Sequence, residues 1–256
     1  MFGRIRNFLA HPLTKGMDID DPATTALRLQ IVRSKPFLLQ IYREWYQLIA
    51  SNFNETDHVL ELGSGAGFMK EYLPKLITSE LFETPGVDRV LDAHQMDIGN
   101  SCLEGIVMTD VLHHIPDCDL FFHEALRVLK PGGKLVMIEP WYTPWSGFVY
   151  KNFHHEPFDP DAASWKFPAK GPLSSANGAI PWIVFERDRS IFEARYPELH
   201  VEYIRPLMPL AYLLSGGIAT RNMLSGRFYP WVRFLERHLQ EKKWGMFAYI
   251  VVKIRE

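Results

Sequence analysis

A short acidic and glycine-rich stretch has residue types and spacing that suit a ligand-binding loop. Glu61 precedes three glycines that are separated from one another by single residues. The glycines are Gly63, Gly65 and Gly67, with Ser64 between the first two. Glycine lacks a Cβ atom, so the backbone can turn sharply here and come close to a ligand. We predict a buried strand before this loop and a helix after it, whose first N–H groups are unpaired.

The glycine spacing leaves two interpretations of this loop open. A dinucleotide-binding fingerprint has its third glycine one residue further along the chain, so the loop does not match that fingerprint. It either holds another ligand or forms a helix-capping turn that binds nothing.

Three further acids, Glu80, Asp92 and Asp110, lie near the ends of apolar runs. The runs, which we predict to be strands, are residues 76–80, 87–93 and 103–110. In a parallel sheet, ligands bind beyond the carboxyl ends of the strands. The three acids are therefore candidate ligand contacts, although each is also explained by a solvated strand end or a helix cap.

Strands and helices continue to alternate after Asp110. Residues 121–130 have helical periodicity, and residues 131–133, Pro-Gly-Gly, end the predicted helix. Proline cannot continue a helix, and glycine accepts the left-handed geometry of a helix end. Residues 134–140 form another predicted buried strand. This alternation predicts an α/β fold with a parallel sheet that is covered on both faces.

Two further sequence motifs lie between the fourth predicted strand and the Pro-Gly-Gly run. They are DVLHHIP at residues 110–116 and EALRVLKPGG at residues 124–133. Together with the glycine loop they resemble the class I S-adenosylmethionine-dependent methyltransferases of type 11, which include the ubiquinone and menaquinone biosynthesis enzymes. The resemblance covers residues 57–140. It implies a Rossmann-like sheet of seven strands in the order 3-2-1-4-5-7-6 with an antiparallel last strand, N-terminal helices and a lid inserted after strand 5.

The resemblance also implies that the cofactor is S-adenosylmethionine. The glycines would pass under its methionine part, and Glu61 would orient the loop or meet the amino group. Glu80 would accept the ribose hydroxyls, Asp92 and the backbone of Ala93 would bind the adenine, and Asp110 would lie beside the sulfonium. The full set of predicted contacts is Glu61, Gly63, Ser64, Gly65, Gly67, Glu80, Asp92, Ala93 and Asp110.

The connection between the second and third predicted strands departs from the family. Most members have a full helix there, but only residues 81–86 separate the two apolar runs. A parallel crossover normally needs about a dozen residues or more. Either the connection is an extended loop or the strand boundaries are displaced by a few residues, and in the second case Asp88 would replace Glu80 as the ribose ligand.

Methyl transfer to an oxygen needs an aligned acceptor and a group that removes its proton. Histidine is the best candidate base near neutral pH, and His113 and His114 follow the fourth strand, close to the expected methyl group. His154 and His155 are an alternative pair, and either pair has a structural or solvent-exposed alternative. Five neighbouring residues have side chains that can bind a metal ion: His154, His155, Glu156, Asp159 and Asp161. Their spacing is irregular, so we predict no metal site.

The chain is interpreted as one domain of residues 1–256 with three parts. Residues 1–55 form a helical flank, which is either a lid over the cofactor or a packed cover of the sheet. Residues 56–140 form the cofactor-binding core. Residues 141–256 contribute an aromatic, largely irregular acceptor lid and the last strands, and their apolar run at 207–218 either lines a lipid pocket or forms an ordinary buried helix.

Composition limits the possible partners. The chain of 256 residues has a net charge of −2, so nothing in its charge indicates nucleic acid binding. Its two cysteines suit a reducing cytosol, and we expect a cytoplasmic protein that is either free in the cytosol or peripheral to the membrane. The predicted reaction is O-methylation of a small molecule such as a sugar, glycolipid or isoprenoid-type compound. The alternatives are N- or C-methylation and a non-catalytic cofactor-binding regulator.

Overall fold

The computed structural model describes residues 22–65, 67–154, 156–169, 171 and 175–255, and its centre is one seven-stranded sheet. The strands are β1 (Val59–Leu62), β2 (Ile77–Glu80), β3 (Arg89–Val90), β4 (Leu103–Thr109), β5 (Leu129–Pro140), β6 (Leu199–Leu207) and β7 (Phe247–Ile254). Their order is β3-β2-β1-β4-β5-β7-β6. The first five strands are parallel, and β7 is antiparallel to β5 and β6. The predicted α/β fold, strand order and antiparallel last strand are confirmed.

Nine α-helices occur within the described residues. They are α1 (Pro22–Ser34), α2 (Pro36–Ala50), α3 (Cys118–Val128), α4 (Pro144–Phe153), α5 (Ile180–Trp182), α6 (Arg189–Arg195), α7 (Ala211–Ser215), α8 (Tyr229–Glu236) and α9 (Glu241–Trp244). Shorter turns are the 3-10 helices Met69–Glu71, Leu112–His114 and Gly226–Phe228 and the π-helix Ile183–Arg187. Asp20 and Asp21 precede Pro22 in a pattern that predicts the cap and start of the first helix, and both lie outside the described residues.

The predicted helix after the glycine loop is wrong. The described residues between Gly67 and β2 contain a single 3-10 turn, Met69–Glu71. Pro74 follows closely, and proline has no N–H group and disfavours helical geometry in the residue before it. Too few residues remain between the loop and this proline for an α-helix to form.

The short connection between β2 and β3 is an extended loop, residues 81–88, with no helix. The first of the two alternatives is therefore correct. The third strand is shorter than predicted, since Arg89 and Val90 alone pair with β2. Asp92 forms an isolated bridge with Gln95 instead of continuing the strand.

Helix α3 starts at a side-chain cap and ends earlier than predicted. The carboxylate of Asp117 accepts hydrogen bonds from the N–H groups of Asp119 and Leu120, which have no partner inside the helix. The predicted helix reached residue 130, but α3 ends at Val128 because Leu129 already pairs with Leu103 as the first residue of β5.

The sheet is covered on both faces by apolar side chains. On one face, Ile106 and Met108 of β4 pack in a cluster with Phe121 and Phe122 of α3. On the other face, Val107 packs in a second cluster that contains the buried side of α2. The spacing of Phe37, Leu38, Ile41, Trp45, Leu48 and Ile49 predicts one apolar helix face. The buried side of α2 consists of Phe37, Leu38, Ile41, Tyr42, Trp45, Tyr46 and Ile49, and Leu48 is half-buried.

The segment after β5 is more regular than its composition suggested. Helix α4 forms within the stretch predicted to be irregular, and its first turn is closed by a capping box between Thr143 and Ser146. The amphipathic pattern of residues 227–240 predicts a single helix, but the structure divides this stretch into the 3-10 turn Gly226–Phe228 and α8. No helix of the described residues is long and apolar enough to span a membrane.

Candidate active site

The glycine loop leaves β1 through a conformation that only glycine adopts easily. Gly63 has φ +62°, and a Cβ atom at this position would lie 2.7 Å from Cγ2 of Val111. The loop and the residue after Asp110 are therefore in contact. The Gly67 N–H donates to the Ser64 carbonyl at 2.5 Å, which closes a tight turn.

Ser64 fastens this loop to β2. Its N–H donates to the carbonyl of Ser79 at 2.9 Å, and its Oγ accepts from the Ser79 N–H at 3.1 Å. The Ser79 hydroxyl in turn donates to the carbonyl of Glu61 at 2.8 Å. The ends of β1 and β2 are thus held together below the loop.

Glu80 lies against the loop, whereas Asp88 does not. The Gly65 N–H donates to Glu80 Oε1 at 2.6 Å, and burial raises the pKa of Glu80. Asp88 accepts from the N–H and the hydroxyl of Thr78, both at 2.8 Å, and pairs with Lys70. The limited burial of Asp88 raises its pKa, but the hydrogen bonds from Thr78 and the charge of Lys70 outweigh this effect and lower the pKa. Of the two candidate ribose ligands, Glu80 is the one placed beside the glycines, and its contact with ribose stays a prediction.

Asp92 caps a turn that follows the end of β3. Its Oδ1 accepts from the His94 N–H at 2.8 Å and lies 2.9 Å from His94 Nδ1. The side chain is 53% exposed, and Ala93 beside it is half-buried. Their contact with adenine remains a prediction.

Glu61 is a buried acid with an unsatisfied oxygen. The residue is 2% exposed, and its Oε2 has no hydrogen-bond partner. Burial, with a contribution from the charge of Glu80, raises the pKa of Glu61 to about 8. An isolated buried carboxyl is costly, so this position suits a cationic ligand group.

Two carboxylates and an imidazole meet where β4 and β5 end. Asp110 has φ +64°, a left-handed conformation that aspartate and asparagine tolerate better than other non-glycine residues. His113 and Glu139 are both fully buried, and His113 Nδ1 lies 2.8 Å from Glu139 Oε2. Glu139 Oε1 accepts from the N–H groups of Val111 and Leu112, each at 2.8 Å.

Glu156 reaches this group from the segment after α4. Its Oε2 is 3.6 Å from His113 Nε2, and its Oε1 is 3.9 Å from His114 Nε2. The other ring nitrogen of His114 lies 2.9 Å from the carbonyl oxygen of Ser175. We call Asp110, His113, His114, Glu139 and Glu156 the acid–histidine cluster.

The charges within the cluster decide which of its side chains can accept a proton. Although burial acts in the opposite direction, the carboxylates of Glu139 and Glu156 raise the pKa of His113 well above 6.5. A protonated imidazole cannot accept a proton, which argues against His113 as the base when no cation is bound. Burial and the charge of His113 lower the pKa of His114 to about 3, so His114 is neutral. Burial raises the pKa of Asp110 to about 7, and the negative charges of Glu156 and Glu139 add to this rise. The charge of His113 acts in the opposite direction.

Helix α1 covers the glycine loop. Thr25 is 1% exposed, and its Cγ2 lies 3.9 Å from where a Cβ of Gly65 would be. The charge of Arg28 also lowers the pKa values of Glu80 and Asp110, opposing their burial. The first described helix therefore lies over the cofactor side of the site, whereas α2 packs on the sheet.

Some of these residues were missed by sequence reasoning. Glu139 lies at the end of β5, just as the other candidate acids lie near the ends of their strands. This position could have identified Glu139 as a candidate site residue. Glu156 was weighed only as a metal ligand, and Thr25 and Arg28 carry no local signal. His154 lies at the edge of the cluster, with Nδ1 3.8 Å from Glu156 Oε2, and His155 lies outside the described residues.

Comparison with known proteins agrees with this geometry. Residues 60–137 match the family model of the methyltransferase domain, and no curated protein matched the sequence. One similar structure is the complex of the Haloferax volcanii Trm112 methyltransferase activator with a methyltransferase, with a TM-score of 0.53, 13% identity, and 93% of this chain and 99% of that chain covered. Another is an S-adenosylmethionine-dependent methyltransferase from Listeria monocytogenes, with a TM-score of 0.51, 12% identity and coverage of 84% and 98%.

The fold and the glycine loop together define a class I methyltransferase. The family match over residues 60–137 identifies this part of the chain as a methyltransferase domain, which agrees with the resemblance to the type 11 methyltransferases. It is an enzyme, and S-adenosylmethionine is its cofactor.

The residues around the loop fit this cofactor. Three buried side-chain atoms without a hydrogen-bond partner, among the described residues, lie in the elements that surround it: Thr25 Oγ1, Glu61 Oε2 and Thr109 Oγ1. Buried polar atoms are rarely left unpaired in a folded protein. A ligand that carries an amino group, hydroxyls and a cation supplies the missing partners.

Binding of S-adenosylmethionine is expected to release a proton from Glu61. With a pKa of about 8, Glu61 is mostly protonated at pH 7, and it must ionise to pair with the amino group of the cofactor. Calorimetry at pH 7 in two buffers with different ionisation enthalpies should detect the proton. The Glu61→Gln variant should bind more weakly and release none, and equal proton release by the variant would exclude Glu61 as the source.

Without cofactor, the same substitution is expected to stabilise the protein at high pH. The pKa of Glu61 is raised from 4.5 to about 8 by folding, so this group contributes stability below pH 4.5 that is lost as the pH rises towards 8. One pKa unit corresponds to about 1.4 kcal/mol. Between pH 5 and pH 8, the free energy of unfolding should therefore fall less in Glu61→Gln than in the wild type, and the difference should be on the order of 2–4 kcal/mol. Urea unfolding of both proteins at pH 5 and pH 8 measures the difference.

Proposed function

We propose that this enzyme methylates an oxygen atom of a small-molecule acceptor, either a sugar, a glycolipid or an isoprenoid-type compound. The observation that supports this proposal most directly is the acid–histidine cluster at the ends of β4 and β5, next to the glycine loop. Val111 joins the two, because it touches Gly63 and donates its N–H to Glu139. A hydroxyl acceptor needs such proton-accepting groups, whereas a neutral amine does not need a base at this point.

The cofactor supplies an electrophilic methyl group, so that the sulfur–carbon bond breaks as the oxygen–carbon bond forms and S-adenosylhomocysteine is left. The chain's own residues orient the acceptor and take its proton. Within the cluster we assign proton acceptance to Asp110, whose pKa is raised to about 7. His114 stays a proposed catalytic-site residue without that role. His113 stays a proposed catalytic-site residue, held in place by Glu139 and facing Glu156.

An exposed aromatic surface on α4, the helix that precedes Glu156 in the chain, suggests the class of acceptor. Trp145, Phe148 and Phe153 of α4 and Trp244 of α9 contact one another in sequence, with ring centroids 5.5 to 6.4 Å apart. Phe148 and Phe153 are 56% and 58% exposed. We call these four residues the aromatic ridge. It leads along α4 to His154, two residues before Glu156.

Basic residues accompany the ridge. Lys151 is exposed on α4, and Lys242 and Lys243 are exposed on α9, which packs against α4. Exposed aromatic rings beside lysines suit the boundary between an anionic membrane surface and its apolar interior. We therefore propose peripheral contact with the cytoplasmic face of a membrane, where a lipid-linked acceptor would enter the site from the ridge.

Transfer of labelled methyl groups to a lipid extract tests this proposal. Purified protein with methyl-labelled S-adenosylmethionine and anionic vesicles made from the extract is expected to place label on an oxygen of one lipid class. A deletion strain should lack that methylated lipid. Burial of a phenylalanine ring contributes about 1.5–3 kcal/mol, so Phe148→Ser combined with Phe153→Ser should reduce vesicle binding and transfer at least tenfold.

A matched control is Ile191→Ser on α6, since Ile191 is an exposed apolar residue, 48% exposed, that does not belong to the ridge. It should behave like the wild type. Equal vesicle binding by the ridge variant and the wild type would contradict the membrane proposal. Label found on nitrogen or carbon would contradict the oxygen assignment and leave the methyltransferase assignment unchanged.

A further inference from the structure

The two histidines of the cluster are both held with their Nε2 atoms directed at Glu156. His113 Nδ1 is bonded to Glu139, whose other oxygen is occupied by two N–H groups. His114 Nδ1 is bonded to the carbonyl of Ser175, which can only accept. Each Nδ1 is thus the donor, and in the neutral ring each Nε2 carries a lone pair. A carboxylate or a carbonyl behind the imidazole is the usual support of a metal-bound histidine.

The Nε2 side of each histidine and the carboxylate of Glu156 are close enough to share one metal ion. Ligand atoms from His113, His114 and Glu156 all lie within 4.8 Å of one another. The nitrogen-to-oxygen distances of 3.6 and 3.9 Å are too long for hydrogen bonds. Two atoms bound to one zinc ion at about 2.1 Å lie at most about 4.2 Å apart, so both distances fit an ion between them.

The electrostatics of the cluster call for a cation. Three carboxylates, those of Asp110, Glu139 and Glu156, surround two imidazoles in a largely buried space. His113 Nε2 is buried and has no hydrogen-bond partner. Acceptor atoms that face one another away from water are stable only when a proton or a metal ion lies between them.

We propose that His113, His114 and Glu156 bind one divalent transition-metal ion of the zinc type. Two imidazoles and one carboxylate suit zinc and its neighbours rather than magnesium or calcium. The sequence prediction of no metal site considered the spacing of residues 154–161 alone and did not pair Glu156 with His113 and His114.

Three protein ligands leave a position open, as in catalytic zinc sites. Asp110 borders this position, with Oδ1 3.9 Å from His113 Nε2. An acceptor hydroxyl bound there would lose its proton more easily, and the proton would pass to Asp110 and then to water as the oxygen–carbon bond forms. This role of the ion rests on the proposed function, whereas binding of the ion does not.

Titration of tag-free protein with Co²⁺ or Zn²⁺, after treatment with a chelator and dialysis, tests the site. Calorimetry is expected to show one ion per chain, and bound Co²⁺ should absorb visible light. The ion should also raise the unfolding temperature, because it binds the folded state alone. Glu156→Gln and His114→Gln should weaken binding by at least about tenfold and remove both signals.

The control is His200→Gln, because His200 is exposed on β6 and far along the chain from the cluster. It should bind the ion as the wild type does. No binding by the wild type, or binding that Glu156→Gln and His114→Gln leave unchanged, overturns the proposed site.

The reaction and the ion are tested separately. Ion binding without methyl transfer to any hydroxyl acceptor supports the metal site and overturns the proposed function. Full turnover by protein shown to contain no ion overturns the catalytic role of the ion and leaves the proposed function standing.

Discussion

Replacing Gly65 with arginine is expected to abolish binding of S-adenosylmethionine. Gly65 has φ +38°, and a Cβ atom there would lie 3.3 Å from Glu80 Oε1 and 3.9 Å from Thr25 Cγ2. An arginine side chain would therefore occupy the space between the loop, β2 and α1. Its positive charge would pair with Glu80 and repel the sulfonium. Calorimetry should show affinity reduced by a factor of at least about 100, which corresponds to about 2.7 kcal/mol.

Gly86→Asn is the matched control for this substitution. Gly86 also has a positive φ of +84°, but no atom lies within 4 Å of the position of its Cβ, and asparagine tolerates such a conformation. The control should bind the cofactor normally. Unchanged affinity in Gly65→Arg, with an unfolding temperature close to that of the wild type, would show that the cofactor does not lie at this loop.

Replacing Asp110 with asparagine is expected to lower turnover by a factor of about 10²–10⁴, the usual contribution of a general base. Asparagine preserves the size of the side chain and accepts the φ of +64°, so the fold should be retained. His114→Gln should lower turnover in the same range. The affinity for S-adenosylmethionine, measured by calorimetry, should stay within a few-fold of the wild-type value in His114→Gln, whereas Asp110→Asn also loses the negative charge expected beside the sulfonium.

Asp97→Asn serves as the control, because Asp97 is exposed and lies outside the cluster. His113→Ala is less informative, since it would leave Glu139 buried without its imidazole partner and so reduce stability. Full turnover in both Asp110→Asn and His114→Gln would remove the general-base mechanism. It would favour an acceptor that is already nucleophilic at neutral pH, such as an amine or a stabilised carbanion, without affecting the methyltransferase assignment.

The sheet could be predicted from sequence because its signals are local. Runs of apolar residues that end in Glu80 and Asp110 mark buried strands, and the Pro-Gly-Gly run marks the end of a helix within a few residues. The boundaries were less certain where a strand competes with another interaction. Leu129 joined β5 instead of α3, and Asp92 turned back towards Gln95.

The missing helix after the glycine loop shows the limit of family resemblance. The glycines match the family pattern, but the distance from Gly67 to Pro74 is too short for the helix that usually follows. Proline acts through steric contact with its neighbours, so this signal was present in the sequence and outweighs the resemblance.

The sequence by itself determined the glycine loop and the alternating strands and helices, because backbone freedom and hydrophobic periodicity depend on near neighbours. The strand order and the cofactor were implied by the resemblance that these motifs carry. The tertiary structure alone decided which side chains meet in the acid–histidine cluster. His113 and Glu139 are 26 residues apart, and His114 and Ser175 are 61 apart. No local pattern encodes such pairs, since they form only when the ends of β4 and β5 and the segment after α4 pack together. That packing also fixes which nitrogen of each imidazole faces Glu156, and so what the cluster can bind.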